Sequence, residues 1–135
     1  MITIPPDIEY IGGDIVKKAI ELNTQKYGKS NFRFIHMDIL IDDLPEVDLW
    51  LCRDALFHFS NSDILRVFLN LKKSRIKYLL TTTFPETHIN EDITTGDYRL
   101  INLEKPPFNL PPPLRYVDDS DAGPSGKKLG LWRLN

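Results

Sequence analysis

Two apolar runs, "VDLWLCRD" at 47–54 and "IKYLLTTTF" at 76–84, limit the folds open to this chain more than any other feature. Nearly continuous apolarity over so few residues is the mark of a strand covered on both faces. Between the runs, Ser60 and Asp63 stand at the spacing of a capping box, with Asp in place of Glu. Ile64, Val67, Phe68 and Leu71 then recur at helical spacing on one face. Two strands joined by a helix pair naturally in parallel, because the crossover returns the chain to the same end of the sheet. The economical expectation is therefore an α/β layered fold.

The same order stands upstream. Residues 7–13, "DIEYIGG", read as a short strand, and "DIVKKAIELNTQKYG" follows with Ile15, Val16, Ala19, Ile20 and Tyr27 near helical spacing. Gly28 is a reasonable stop for that helix. "NFRFIHMD" at 31–38 predicts a second strand, and 39–46, with Asp42, Asp43 and Pro45, a loop or single turn. Residues 7–84 thus read β-α-β-β-α-β. Residues 85–113 carry six of the ten prolines and no helical period. Proline removes donors and clashes in helix interiors, so this segment is expected to be an ordered lid or Ω-type loop. "PLRYVDD" and "KKLGLWRLN" predict two final strands, with the turn-rich "SDAGPSG" between them making an antiparallel hairpin. The whole is expected to be one domain, 1–135, built of the 7–84 part, the 85–113 loop and the 114–135 hairpin.

Composition excludes several function classes. A net charge of −2 gives no electrostatic footprint for nucleic acid, and "KKSRIK" at 72–77 is expected to be a solvated helix end suited to the dipole. No stretch approaches the roughly 20 apolar residues of a membrane span, and "MITIPPDIEY" does not read as a signal peptide. The lone Cys52, among Leu49, Trp50 and Leu51, builds no disulfide framework and is expected to be buried and inert. Trp50 and Trp132 are expected in the core. A cytoplasmic, soluble protein is the expectation.

Asp14 and Asp38 each close a predicted strand, 24 positions apart. In open α/β sheets, ligands sit beyond the carboxyl ends of strands. A carboxylate there can accept both hydroxyls of a ribose, and a second one a strand away can accept an adenine amino group. An Asp at that place can equally serve only to cap the following helix. The series "YIGGDIV…NFRFIHMDIL…DLWLCRDALFHFS…KYLLTTTF" resembles the class I S-adenosylmethionine-dependent methyltransferases over residues 8–84. "PLRYVDD…KKLGLWRL" resembles that family's closing antiparallel strands. The resemblance implies a Rossmann-like, mostly parallel sheet ending in an antiparallel hairpin. It implies S-adenosylmethionine as cofactor, with Asp14, flanked by Gly13 and Ile15, on the ribose hydroxyls. Asp38 and Ile39 would face the adenine, and Arg53 would lie in the segment that contacts cofactor and substrate. The family's first strand and glycine-rich loop should precede Tyr10 by some distance, yet only nine residues do, and no G-x-G-x-G occurs. The expectation is a fold without its first βα unit, whether as a fragment, a late start or a degenerate relative. Asp14, rather than Gly12-Gly13, is then the informative residue, the glycines serving to let the backbone pass close.

Methyl transfer is an in-line displacement at a sulfonium carbon and sometimes needs a base. Asp54 and His58 are the catalytic candidates. His58 is equally readable as a satisfied structural histidine in "LFHF", Asp54 as a local cap, and Arg53 as the ion-pair partner of Asp54 or Asp38. Asp97, Tyr98, Arg99 and Asn102 are candidates for closing over a modest-sized acceptor. No metal is expected, since the spacing of His36, Asp38 and His58 matches no compact ligand pattern. The first functional reading is a methyltransferase acting on a small-molecule or protein acceptor, whether active, partial or inactive. The second is a non-catalytic interaction module. A nicotinamide-dependent oxidoreductase is third, opposed by the terminal hairpin and the absent G-x-G-x-x-G. A sheet lacking a central strand also predicts a homo-oligomer formed through the gap.

Overall fold

The computed structural model describes residues 4–120 and 123–134. Most of the "MITIP" segment, two positions of the expected 120–126 turn and the last residue of the terminal run therefore lie outside the described residues. The chain divides into two compact units, Met1–Asp42 and Asp43–Asn135.

In the first unit, strands β1 (Tyr10–Asp14) and β2 (Phe32–His36) pair in parallel, with Tyr10 opposite Phe32 and Asp14 opposite His36. Helix α1 (Lys17–Tyr27) joins them and buries Ile20. The helix starts later than its sequence pattern suggests. Asp14 accepts the Val16 N–H through Oδ1 at 2.8 Å, holding the chain in a turn before α1 begins. Gly28 ends the helix as expected, donating its N–H to the Thr24 carbonyl at 3.0 Å. The glycines of β1 make room for neighbours: a Cβ on Gly12 would meet the Phe34 ring, and one on Gly13 the Met37 thioether.

The second unit holds a four-stranded sheet with β3 (Leu49–Cys52), β4 (Tyr78–Thr83), β5 (Arg115–Asp118) and β6 (Lys128–Arg133) in the order β3-β4-β6-β5. β3 and β4 are parallel, whereas β6 runs antiparallel to both β4 and β5. A 3₁₀ turn (Leu56–His58) and helix α2 (Asn61–Lys73) make the crossover. The expected single, mostly parallel sheet is thus two sheets, with parallel and antiparallel pairings in equal number. Among the described residues no strand joins the free edge of β1 or that of β3.

One face of the larger sheet is covered. Cys52, Leu79 and Trp132 lie on it, with Ile64, Val67, Phe68 and Leu71 of α2 buried in the same core. Each such aliphatic side chain contributes roughly 1.5–3 kcal/mol by leaving water. β3 departs from its expected burial on both faces. Leu49 and Leu51 alternate with the half-buried Trp50 and the buried Cys52, point away from the core and are 49% and 55% exposed. Trp50 is half-buried, while Trp132 is fully buried and donates its indole N–H to the Pro111 carbonyl at 2.7 Å.

Residues 85–113 are ordered along the sheet and α2. Phe84 N–H donates to the Ile101 carbonyl at 2.8 Å, and Leu103 N–H to Thr83 Oγ1 at 3.1 Å. Ile101, Leu103 and Phe108 are buried, the last against Phe68 with ring centroids 6.3 Å apart. No helix among the described residues is long and apolar enough to cross a membrane.

Candidate functional site

The first unit gathers two carboxylates at one end of its parallel pair. Asp14 is the last residue of β1, and Asp38 follows the end of β2 by two. Asp14 is exposed, and only its Oδ1 is engaged, by the Val16 N–H. Asp38 accepts the Leu40 N–H at 2.9 Å, while its own N–H donates to Asp42 at 2.7 Å. These bonds hold the turn after β2, with Ile39 half-buried inside it. His36 links the two strand ends, its Nε2 lying 2.9 Å from the Ile15 carbonyl oxygen. Gly13 and Ile15 flank Asp14, and a side chain at Gly13 would displace Met37, which is buried.

The second unit carries Arg53, Asp54 and His58 beyond the carboxyl end of β3. Arg53 grips Asp119 with two bonds, Nε to Oδ2 at 2.9 Å and Nη2 to Oδ1 at 3.0 Å. It also lies 3.8 Å from Asp54. Lys127, whose side chain is only 2% exposed, donates to Asp54 at 2.8 Å and stands 3.3 Å from Asp119. Two cations and two anions thus compensate one another across the end of β3 and the hairpin. The Asp54 bond raises the Lys127 ammonium above its ordinary value. Arg53, through its hydrogen bonds, holds the Asp119 carboxyl below the usual range. Asp54 itself sits at φ 55°, a left-handed conformation that Asp tolerates better than most residues. Its N–H donates to Thr82 Oγ1 at 2.8 Å.

His58 is exposed, and its ring is held from two sides. Phe57 and Tyr98 lie with ring centroids 4.7 and 5.7 Å away. Nδ1 is 2.9 Å from the Asp97 carbonyl oxygen. A carbonyl can only accept, so Nδ1 carries the proton, and the neutral ring keeps its lone pair on Nε2. The ring is thus braced through Nδ1, with Nε2 left open. Cys52 is buried with its thiol pushed up to about 11, chiefly by desolvation, which leaves it unreactive.

Of the loop residues expected to close over a substrate, Arg99 and Asn102 are internal struts. Arg99 is 7% exposed and donates to the carbonyls of Glu91 and Phe57 and, at 2.6 Å, to Asn61 Oδ1. Asn102 is 2% exposed, with its amide on the carbonyls of Pro85 and Thr87. Tyr98 is half-exposed beside His58. Sequence reasoning missed Asp119 and Lys127. Their roles depend on a contact across 66 and 73 residues, and the only signal was that both flank the hairpin turn. Among the described residues no three His, Cys, Asp or Glu side chains gather as a metal site requires.

The sequence matches no family model, and no curated protein matches it. Solved structures do. LaPhzM superposes with a TM-score of 0.67 at 12% identity, over 95% of this chain and 43% of that one. PigF with SAH superposes with a TM-score of 0.64 at 16% identity, over 95% of this chain and 44% of that one. The likeness is one of fold, and the chain spans less than half the length of these two solved chains.

Proposed function

We propose that this chain is a methyltransferase-type domain that takes the nucleoside half of S-adenosylmethionine at the carboxyl ends of β1 and β2. The observation that carries the reading is the exposed Asp14 carboxylate ending β1, with one oxygen still open, opposite His36 of β2, which Asp38 and Ile39 follow. The fold likeness to a protein solved with SAH, the product form of that cofactor, supports it. The residues suit the group: a ribose offers two neutral hydroxyl donors, and a fixed, solvent-facing carboxylate is a strong acceptor for both. Ile39 gives the adenine an apolar neighbour, and the turn bond to Leu40 fixes where Asp38 stands. The bound cofactor would supply an electrophilic methyl group. The acceptor, a small molecule or a protein side chain, loses a proton as its nucleophile attacks. In the Asp43–Asn135 unit, His58 has Nδ1 committed to the Asp97 carbonyl and Nε2 open. Arg53 and Asp54, locked to Asp119 and Lys127, would position this segment.

Calorimetric titration with S-adenosylhomocysteine tests the reading. The expected Kd is tighter than about 100 µM, roughly −5.5 kcal/mol. Asp14→Asn retains an oxygen for the Val16 N–H and loses the charge, so it should fold normally and bind about tenfold or more weaker. A folded wild-type chain that gives no binding, or an Asp14→Asn chain that binds equally well, overturns the proposal.

A further inference from the structure

The turn that carries Asp14, between β1 and α1, has little of its own to hold it. Ile15 and Val16 follow the carboxylate, and at 62% and 54% exposed neither is anchored by burial. Helix α1 gives no help from its side. Val16 stands at its N-cap, where a Ser, Thr, Asp or Asn would bind the first free N–H groups, and no side-chain cap bond forms there. The first turn of the helix has no acid, only Lys17 and Lys18, whose charge opposes the dipole at that end.

Hydrogen bonds hold the turn instead. The Met37 N–H donates to the Asp14 carbonyl at 2.9 Å, just past the β1–β2 ladder. Asp14 Oδ1 accepts the Val16 N–H at 2.8 Å, a bond within the turn itself. A further bond comes from the neighbouring strand, from His36 Nε2 to the Ile15 carbonyl at 2.9 Å. A carbonyl can only accept, so Nε2 carries a proton in the neutral ring as in the cation. His36 is the last residue of β2 and the register partner of Asp14, so the two side chains leave the same strand end on the same face. The His36 bond fixes the residue that directly follows Asp14, and with it the direction from which the carboxylate meets a ligand. We propose that His36 is the positioning residue of the nucleoside site: its Nε2–H holds the Ile15 carbonyl and so sets the Asp14 carboxylate for the ribose hydroxyls. In the cofactor reading above, on which this rests, Asp14 makes the contact and His36 acts through it. An acceptor held in place before the ligand arrives loses less freedom on binding, which is where the gain in affinity lies.

The test reads the free chain and the ligand complex separately. His36→Asn ends an atom short of Nε2, whereas His36→Gln carries an amide N–H as many bonds from the backbone as Nε2. His36 is exposed, so both variants should fold, as circular dichroism will check. In the free chain, NMR relaxation of the amide nitrogens should give Ile15 and Val16 order parameters of about 0.85, falling toward about 0.6 in His36→Asn and returning in His36→Gln. In calorimetric titration with S-adenosylhomocysteine, His36→Asn should bind about fivefold weaker, as the loss of one hydrogen bond implies, and His36→Gln should recover to within about twofold. Added to Asp14→Asn, His36→Asn should cost less than about twofold, because the charge it positions is gone, whereas a merely structural residue costs the same in both backgrounds. Unchanged order parameters in His36→Asn, a His36→Gln chain as weak as His36→Asn, or equal cost in the two backgrounds overturns the proposal. A folded wild-type chain that binds no S-adenosylhomocysteine overturns the cofactor reading instead, and the order parameters then still decide whether His36 holds Asp14.

Discussion

The start of α2 is held by a side chain from the proline-rich segment, and the arrangement predicts what each of three substitutions will do. In an ordinary capping box, a Glu three residues into the helix reaches back to the N–H of the cap. Here the residue is Asp63, one methylene shorter. Ser60 Oγ accepts the Asp63 N–H at 3.2 Å, but the return bond passes through Thr95. Its hydroxyl accepts the Ser60 N–H at 2.9 Å and donates to Asp63 Oδ2 at 2.6 Å. Thr95→Val keeps the shape and deletes both bonds. The neutral one is worth about 1 kcal/mol and the one to a carboxylate about 1.5–3 kcal/mol. The site is exposed and water replaces part of each, so the net loss should be about 1–2 kcal/mol, the range for a lost N-cap. Urea unfolding followed by tryptophan fluorescence reads it cleanly, since Trp50 and Trp132 both belong to the Asp43–Asn135 unit. With a slope of about 2 kcal/mol/M, the midpoint should fall by about 0.5–1 M. Thr95→Ser should stay near wild type. Asp63→Glu added to Thr95→Val should recover at least half the loss, the longer carboxylate closing the box directly. A wild-type midpoint for Thr95→Val, or no recovery from Asp63→Glu, would refute the relay.

Two further outcomes follow from the charges and the thiol. Asp119 is held below its ordinary 3.8, so its stabilisation is complete above that pH and is lost as pH falls further. Lys127 is held above 10.5, so its share is complete below that pH and is lost as pH rises through its folded-state value. Lys127→Met should remove that part of the alkaline loss of stability measured by urea titration. The loss between pH 10 and about 12 that belongs to Tyr116, raised by burial and by its bond to Glu104, should remain until Tyr116→Phe removes it. Cys52, at about 11, is only about 0.1% thiolate at pH 8. A disulfide reagent should therefore label it only as the chain unfolds, and rapid labelling of the native chain would contradict its burial.

Periodicity made the elements legible because each reports on a local requirement. The α2 stripe of Ile64, Val67, Phe68 and Leu71 is buried as its spacing implies, and Gly28 ends α1 where the helical pattern does. What was hidden is nonlocal. Leu49 and Leu51 read as two-face burial because apolarity says what a side chain prefers, and only the neighbouring layers decide whether it is met. The division into two sheets was equally hidden, since a strand run does not state which edge will find a partner. In the candidate site, the positions of Asp14 and Asp38 at strand ends were readable from their runs. The pairing of Arg53 with Asp119 was not, because a charged residue in sequence has many possible partners. Arg99 and Asn102 misled for a related reason: polar residues in a loop read as available, but theirs are consumed in bonding the carbonyls of a segment with no ladder of its own.

The two groups of acids beyond the strand ends differ in what a ligand would have to displace. At β3, a ligand that used Asp54 or Arg53 would have to break bonds to Lys127 or Asp119, and the side chain of Lys127 is almost wholly buried. Removing one member of such a set leaves a buried charge uncompensated, at a cost of about 3–5 kcal/mol for a fully buried pair and less here, where Asp54 and Arg53 reach water. Few small ligands return that much from one contact, so the set is better suited to holding backbone than to binding. Asp14 faces no such competition. Its one bond, to the Val16 N–H, uses a single oxygen and leaves the charge open to solvent, where a ligand displaces only water. The same comparison separates His58 from its neighbours: its brace uses Nδ1 and leaves Nε2 open. Asp14 is thus the loosely held carboxylate, the Arg53–Asp54–Asp119–Lys127 set the compensated one, and His58 a ring that the 3₁₀ turn and the 85–113 segment hold in place.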